Sequence, residues 1–317
     1  MQEDTANTSN PTRSDSSQTP THTRKTLHPT DSEETIDTRR LRPISPDEPI
    51  VGIEHQQKDE GESYLHVSRR CHVGAIRDRN EDSSFIFTAF ADGEESLPMF
   101  GIFVVADGMG GHTGGHKASQ YTSRLVGQRV IQSLYLPLLA GENTPLPIQG
   151  ILVGAAIEAN NHLYRLGATR NMGTTLTAAI VFGSRLFLAH VGDSRVYLWD
   201  NEELNLLTTD HTYVQDLVNV GKLTQEEAAK HPHRNVIYRA VGPMPDLEVD
   251  IFTCKLPQKG KLLVCSDGLW GMVEDEDFCR VLSSSDSLDE QANALQAAAL
   301  NNGGDDNITL VLAAFKF

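Results

Sequence analysis

Residues 100–115, FGIFVVADGMGGHTGG, constrain the fold more tightly than any other stretch of this chain. The apolar run 102–106 stops abruptly at Asp107, and a glycine-rich turn carrying two histidines leads into a helical pattern near His116. Strand, acid, glycines and helix together present a carboxylate at a sheet edge, where a ligand can come close to the backbone. A buried strand closed by an ordinary Asp-Gly turn has the same local pattern. The rest of the chain has to separate the two.

Three further placements repeat the theme. Asp267 follows LLVCS and precedes Gly268, Asp306 sits in GGDDN just before ITLVLAAF, and Glu81-Asp82 opens a Phe-rich strand pattern. An acid at the end of a core strand is costly unless something positive neutralises it. Any one of them could be a turn residue, but four in one domain argue against independent turn roles. If the strands are neighbours, the acids converge at one end of the sheet. An all-oxygen cluster without His or Cys suits Mg2+ or Mn2+ and disfavours zinc. Two such ions bridged by one carboxylate, with Asp107 the natural bridge, would generate hydroxide and clamp a phosphoryl group. Gly108 has no side chain, so its carbonyl could also approach a metal. Arg77 lies five residues before Asp82 and could hold the phosphate bidentately. Arg79 competes for that role, with a surface charge as its plainer reading.

Hydrophobic patterning predicts strands over residues 82–90 and 98–106, a long helix over 116–139 and a second helix over 148–166. Beyond Gly173, TTLTAAIVF, RLFLAHV and RVYLW, separated by Gly183-Ser184 and Gly192-Asp193-Ser194, read as a meander of antiparallel hairpins. Asp193 is then a hairpin-turn residue, and Thr174 and Thr175 are strand and turn packing. Residues 210–242 turn helical and irregular. Strands follow at 248–255 and 261–266, helices at 274–282 and 288–300, and a last strand at 308–315. Strands in runs with helices kept apart in pairs give an α+β layered domain rather than a doubly wound parallel sheet.

Charge narrows the function. With 43 acidic against 27 basic residues the formal net charge is −16, which lacks the basic footprint of sequence-independent nucleic-acid binding. No signal peptide or bilayer-length apolar run is present, so the chain reads as soluble, cytoplasmic and without a membrane partner. Cys71, Cys254, Cys265 and Cys279 form no CxxC pair and read as reduced, with Cys265 a small core residue. Residues 1–65 are rich in Ser, Thr, Pro and acids and read as a disordered tail. Its hydroxyls could accept phosphate and recruit a phosphothreonine-binding module; a passive solubilising tail is the plainer reading.

The segments GAIRDRNEDS, VVADGMGGH, MGTTLTAAI, HVGDSRVYL, LTTDHTYVQDLV, HPHRNVIYRAVG, LLVCSDGLW and GGDDNITLVL, in that order, resemble the type 2C (PPM) family of metal-dependent Ser/Thr protein phosphatases, in its bacterial branch. The resemblance covers about residues 70–315. It implies a four-layer α-β-β-α sandwich, two central antiparallel sheets flanked by helices, over 66–317, with a binuclear Mn2+ or Mg2+ centre at one edge. By the same resemblance Asp107 is the bridging ligand, Gly108 a carbonyl ligand, and Asp267 and Asp306 ligands of the second metal. Glu81 and Asp82 act through metal-bound water, and Arg77 binds phosphate. A metal-bridging water attacks phosphorus directly, without a phosphoenzyme. Metals and Arg77 offset charge on the transferring group, as phosphoryl transfer requires.

Two positions depart from the wider family. Met109 stands where eukaryotic members carry a histidine proposed as general acid, so the leaving group is protonated from elsewhere; His112 is a nearby candidate, more simply structural. Asn171 stands where members often place an Asp before GTT, which puts a third metal site in doubt. Residues 210–242 resemble the bacterial flap, a mobile insert beside the active site. There Asp210, His211, His231, His233 and Arg234 could touch a phosphopeptide or cap short helices. The expected protein is a monomeric phosphoserine/phosphothreonine phosphatase opposing a bacterial Ser/Thr kinase. The competing readings are a pseudophosphatase that binds phosphoproteins without turnover, and a phosphatase acting on a small phosphoester or an anti-sigma-factor antagonist.

Overall fold

The computed structural model describes residues 63–92, 96–110, 114–142, 147–167 and 172–317. The expectations for His112, Asn171 and residues 1–62 of the tail fall outside them, while Tyr64 and Leu65, read as the end of the tail, instead begin a strand. One sheet has the order β2 (Asp82–Ala89), β3 (Phe100–Met109), β5 (Leu176–Phe182), β6 (Arg185–Val191), β9 (Asp250–Lys255), with the two-residue β4 (Gly173–Thr174) on the end of β3. The other has the order β1 (Tyr64–His72), β11 (Ile308–Lys316), β10 (Lys259–Cys265), β7 (Arg195–Asp200), β8 (Glu203–Leu206). Every neighbouring pair is antiparallel.

Three apolar layers hold four structural layers together. Phe103 and Val105 of β3 meet Val311, Ala313 and Phe315 of β11 between the sheets. The alternate residues Phe100, Ile102 and Val104 face α1 (Gly115–Val130) and α3 (Ile148–Gly167). On the far side Ile308, Leu310 and Leu312 face α7 (Asp275–Leu282) and α8 (Leu288–Asn301), in the same layer as Cys265. A strand buried on both faces needs no polar alternation, which is why these segments read as unbroken apolar runs. The result is the expected α-β-β-α sandwich.

Three details differ from the sequence reading. The meander ends at β6: β5 and β6 form a hairpin, but β7 crosses to the other sheet and pairs with β8 and β10. Gly192-Asp193-Ser194 is therefore an inter-sheet corner, and Asp193 is not a hairpin-turn residue. Gly192 sits at φ +109°, and the Thr175 side chain fills the space a Cβ would need. Thr175 and Ser194 hydroxyls bond at 2.8 Å, and the Thr177 hydroxyl donates to the Ser194 carbonyl. The long helix is interrupted by a π turn, Ile131–Tyr135, before α2 (Leu136–Leu139). Pro137 offers no N–H to the preceding turn, which widens so that Leu136 N donates to the Ile131 carbonyl. The wider turn seats Tyr135 against Phe87 and Phe100, with ring centroids 5.3 and 5.0 Å apart. Finally, β1 and β8 are strands that the patterning did not single out.

Helix α1 approaches β2 most closely at Gly127, where a Cβ would lie 2.3 Å from the Phe85 ring. Gly127→Val drives a branched side chain into that ring, and overpacking of this kind costs about 1–3 kcal/mol. Urea denaturation is expected to show a lower midpoint at unchanged slope.

Candidate active site

The acids gather where the two sheets end side by side. Asp82 and Asp107 are Cα partners on β2 and β3. In the other sheet β10 runs into Ser266 and the short helix α6 (Asp267–Trp270), while Asp306 lies just before β11, the neighbour of β10. The acids thus come from both sheets, not from one as the sequence reading had it. Ser266 joins the halves: its hydroxyl donates to Asp82 Oδ2 at 2.7 Å.

Backbone clamps hold Asp107 in place. Its N–H donates to Thr175 Oγ1 at 2.9 Å, while its carbonyl accepts from Thr174 Oγ1 and Thr175 N, each at 2.8 Å. Thr174 and Thr175 do more than pack. At Gly108 a Cβ would stand 2.3 Å from the Gly115 carbonyl and 2.7 Å from the Glu81 carbonyl. Only glycine lets α1, β2 and β3 approach so closely. The Glu81 carbonyl accepts from Gly108 N at 3.2 Å and from Ser119 Oγ at 2.5 Å, and Glu81 N donates to Asn307 Oδ1 at 2.7 Å.

Burial and mutual repulsion dominate the electrostatics. Burial, then the carboxylates of Asp82, Asp267, Asp193 and Asp306, push the Asp107 carboxyl well above the usual range. Burial pushes Asp82 up to about 7, opposed by the Ser266 hydrogen bond and reinforced by Asp267 and Asp306. Asp267 is pushed up to about 6 by burial and Asp306, with a hydrogen bond to Asp107 opposing. Arg77 faces the cluster, its Nη2 donating to Asp306 Oδ2 at 2.6 Å, and its side chain remains 54% exposed. Arg79 instead reaches His116, Nη1 to Nδ1 3.4 Å.

The donor chemistry fits a hard cation. Oδ1 of Asp82, of Asp193 and of Asp267 is buried without a hydrogen-bond partner, and buried oxygens of this kind call for a positive ligand. Among the described residues no three His, Cys, Asp or Glu side chains already stand as a coordination shell. Asp306 is turned to Arg77, and Asp267 is bonded to Asp107. Oxygen donors alone suit Mg2+ or Mn2+.

Asp193 is itself buried beside the cluster, its carbonyl accepting from Trp270 Nε1 at 2.9 Å. Residues 210–242 divide into a neck and a tip. In the neck, Asp210 is gripped by Arg195 at 2.8 Å, and Arg195 lies over the Trp270 ring. His211 Nδ1 accepts from Gly192 N, and His211 Nε2 lies 3.2 Å from Asp250 Oδ2. Asp210 and His211 are buried, so they anchor the insert and neither touch substrate nor cap helices. The caps are Thr212 and Thr224. At the tip, the rings of His231 and His233 lie 5.6 Å apart beside Tyr213, and Arg234 N donates to the His231 carbonyl. Met109 pairs with Gly173 on β4. The sequence reading missed Ser266, Asn307 and Ser119; Ser266 and Asn307 each stand next to an acid at a strand end, while Ser119, inside α1, carries no local signal.

The chain belongs to the protein phosphatase 2C family, whose sequence model matches residues 80–304. It is 37% identical over 250 residues to the serine/threonine phosphatase stp of Listeria welshimeri, covering 78% of this chain and 95% of that one. Among solved structures, the S. agalactiae serine/threonine phosphatase matches with a TM-score of 0.67 at 32% identity, over 79% of this chain and 99% of that one. The catalytic domain of the serine threonine protein phosphatase PstP, in complex with 2 manganese ions, matches with a TM-score of 0.64 at 32% identity, over 81% of this chain and 100% of that one.

The raised carboxyls fix a pH dependence. Asp82 and Asp267 hold protons more tightly folded than unfolded, where 3.8 is the ordinary value. Their protonated forms favour the fold at low pH, and that contribution is lost as pH rises through about 6 and then about 7. With EDTA present, Tm is expected to fall as pH is raised from about 5 to about 8, and added Mn2+ to restore it. A level or rising Tm in EDTA would contradict this account.

Proposed function

We propose that this chain is a metal-dependent phosphoprotein phosphatase that hydrolyses phosphoserine and phosphothreonine. The observation that carries the reading is the cluster of buried and half-buried carboxylates, three of them with an orphaned buried oxygen, beside the exposed Arg77. Asp107, the Gly108 carbonyl, Asp267 and Asp306 would hold two Mn2+ or Mg2+ ions, with Glu81 and Asp82 in supporting, water-mediated roles. When bound, the ions supply positive charge for the phosphoryl oxygens and activate water as nucleophile.

The chain's own groups supply the rest. Arg77 is exposed enough to exchange Asp306 for two oxygens of an incoming phosphoryl group, a bidentate match that also orients phosphorus. Water attacks in line as the bond to the Ser or Thr oxygen breaks. The leaving oxygen takes its proton from solvent, since Met109 has none to give. Thr174, Thr175 and Gly108 keep Asp107 from moving as charge redistributes. His231, His233 and Arg234 at the flap tip contact residues around the phosphosite.

Residues 64–317, beginning with β1, form the phosphatase domain, and those before them a tail. The partners are phosphorylated proteins, a Ser/Thr kinase and its substrates among them, and the enzyme works as a cytoplasmic monomer. Among the described residues no helix is long and apolar enough to cross a membrane.

Purified protein is expected to hydrolyse a phosphothreonine peptide with added Mn2+ and to stop with EDTA. Asp107→Ala should lower turnover by at least about 10³-fold and Arg77→Ala lower kcat/KM by roughly 10²-fold, with folding checked by circular dichroism. Undiminished turnover in EDTA, or by Asp107→Ala, overturns the reading.

A further inference from the structure

Arg77 lies on an exposed loop, and in the hydrogen-bond pattern of that loop one side chain stands apart. Asn307 Nδ2 donates to the Val73 carbonyl at 2.8 Å and to the Arg79 carbonyl at 3.0 Å. Its Oδ1 accepts from Glu81 N at 2.7 Å. The amide orientation is fixed by its surroundings, since the nitrogen faces two carbonyls and the oxygen faces an N–H. One nearly buried side chain therefore closes the loop 73–81 on itself, spanning Arg77 from both sides.

The same residue reaches the other half of the site through its backbone. Asn307 N donates to Asp306 Oδ1 at 2.8 Å, leaving Oδ2 for Arg77. Its carbonyl lies where a Cβ on Gly268 would come within 2.1 Å, against the helix that begins with Asp267. Without its side chain the loop keeps a backbone tie at its start, Ala75 N to the Gly304 carbonyl at 2.7 Å. Beyond Arg77 it would lose the bond to the Arg79 carbonyl and keep side-chain contacts such as Arg79 to His116 at 3.4 Å and Asn80 Nδ2 to Cys71 Sγ at 3.1 Å.

We infer that Asn307 is a positioning residue: it holds the Arg77 loop and Glu81 in register with Asp306, so that the guanidinium meets phosphate without a search. The inference rests on Arg77 binding the phosphoryl group. An ordered loop places the arginine before substrate arrives, and the ordering cost is met in folding rather than in binding. Asn307 touches no substrate in this scheme and acts only through the loop.

The test uses the full-length protein with Asn307→Ala, Arg77→Ala and the double variant, plus Asn307→Asp. The Asp variant keeps the acceptor for Glu81 N but replaces the donor to the Val73 and Arg79 carbonyls with a carboxylate oxygen that repels them. In metal-free protein, amide hydrogen exchange over residues 75–80 should quicken by at least about 10-fold in both Asn307 variants, with β10 unchanged. In the Mn2+-loaded enzyme, inhibition by inorganic phosphate should weaken by roughly 10-fold in Asn307→Ala and in Arg77→Ala. The double variant should be no weaker than Arg77→Ala alone, because residues acting as one unit are non-additive. Unchanged loop exchange, or losses that multiply in the double variant, overturns the role of Asn307 while leaving the phosphatase reading intact. Phosphate inhibition untouched by Arg77→Ala overturns the premise about Arg77, and the role of Asn307 with it.

Discussion

Like charge gathered away from water is the constraint on which this structure turns. Asp82 and Asp193 are buried and Asp107 and Asp267 half-buried, within reach of one another's fields, and each is pushed toward its protonated form. Such an arrangement opposes folding, so the surrounding scaffold has to hold it. The apolar layer between the sheets does so from below, and the threonine clamp on Asp107 and the Ser266 bridge do so from within. The cost is tolerable because a bound cation removes it: the same repulsion that weakens the bare protein is the source of affinity for divalent metal.

Much of this was legible in the chain. Strands buried on both faces declare themselves as unbroken apolar runs, and an acid that ends one is conspicuous, so Asp107, Asp267 and Asp306 could be singled out before any coordinates. Sheet membership could not. The segments that became β6 and β7 are equally apolar, and nothing local says that Gly192 sends the second to another layer. β1 was hidden because YLHVSRRCH is half polar, and β8 because four residues are too few for a pattern. The roles of Ser266 and Asn307 lay beyond local reading for a different reason. Their partners are 184 residues away for Ser266 and 226 to 234 away for Asn307, and a polar residue carries no mark of what it will meet at such separation.

Residues 210–242 show how a polar cluster misleads. Asp210 and His211 have the composition of a substrate site, yet burial and a ring of partners assign them to the neck. Arg195 links that neck to Trp270, three residues beyond Asp267, and His211 links it to the corner that carries Asp193. The insert is thus rooted in the same elements that carry the acids, while its tip, with Tyr213, His231 and His233, is left to the surface.

The pairing of β1 with β11 along nine residues joins Tyr64 to Lys316 and His72 to Ile308. The second sheet therefore closes around a strand that is made long after its neighbour β1. Asp306, Asn307 and the anchor for the Arg77 loop emerge only with that strand, so a growing chain carries half a site until it is made. The cluster is complete only once that strand has paired, and a chain that stops short of it lacks Asp306 and the loop anchor together.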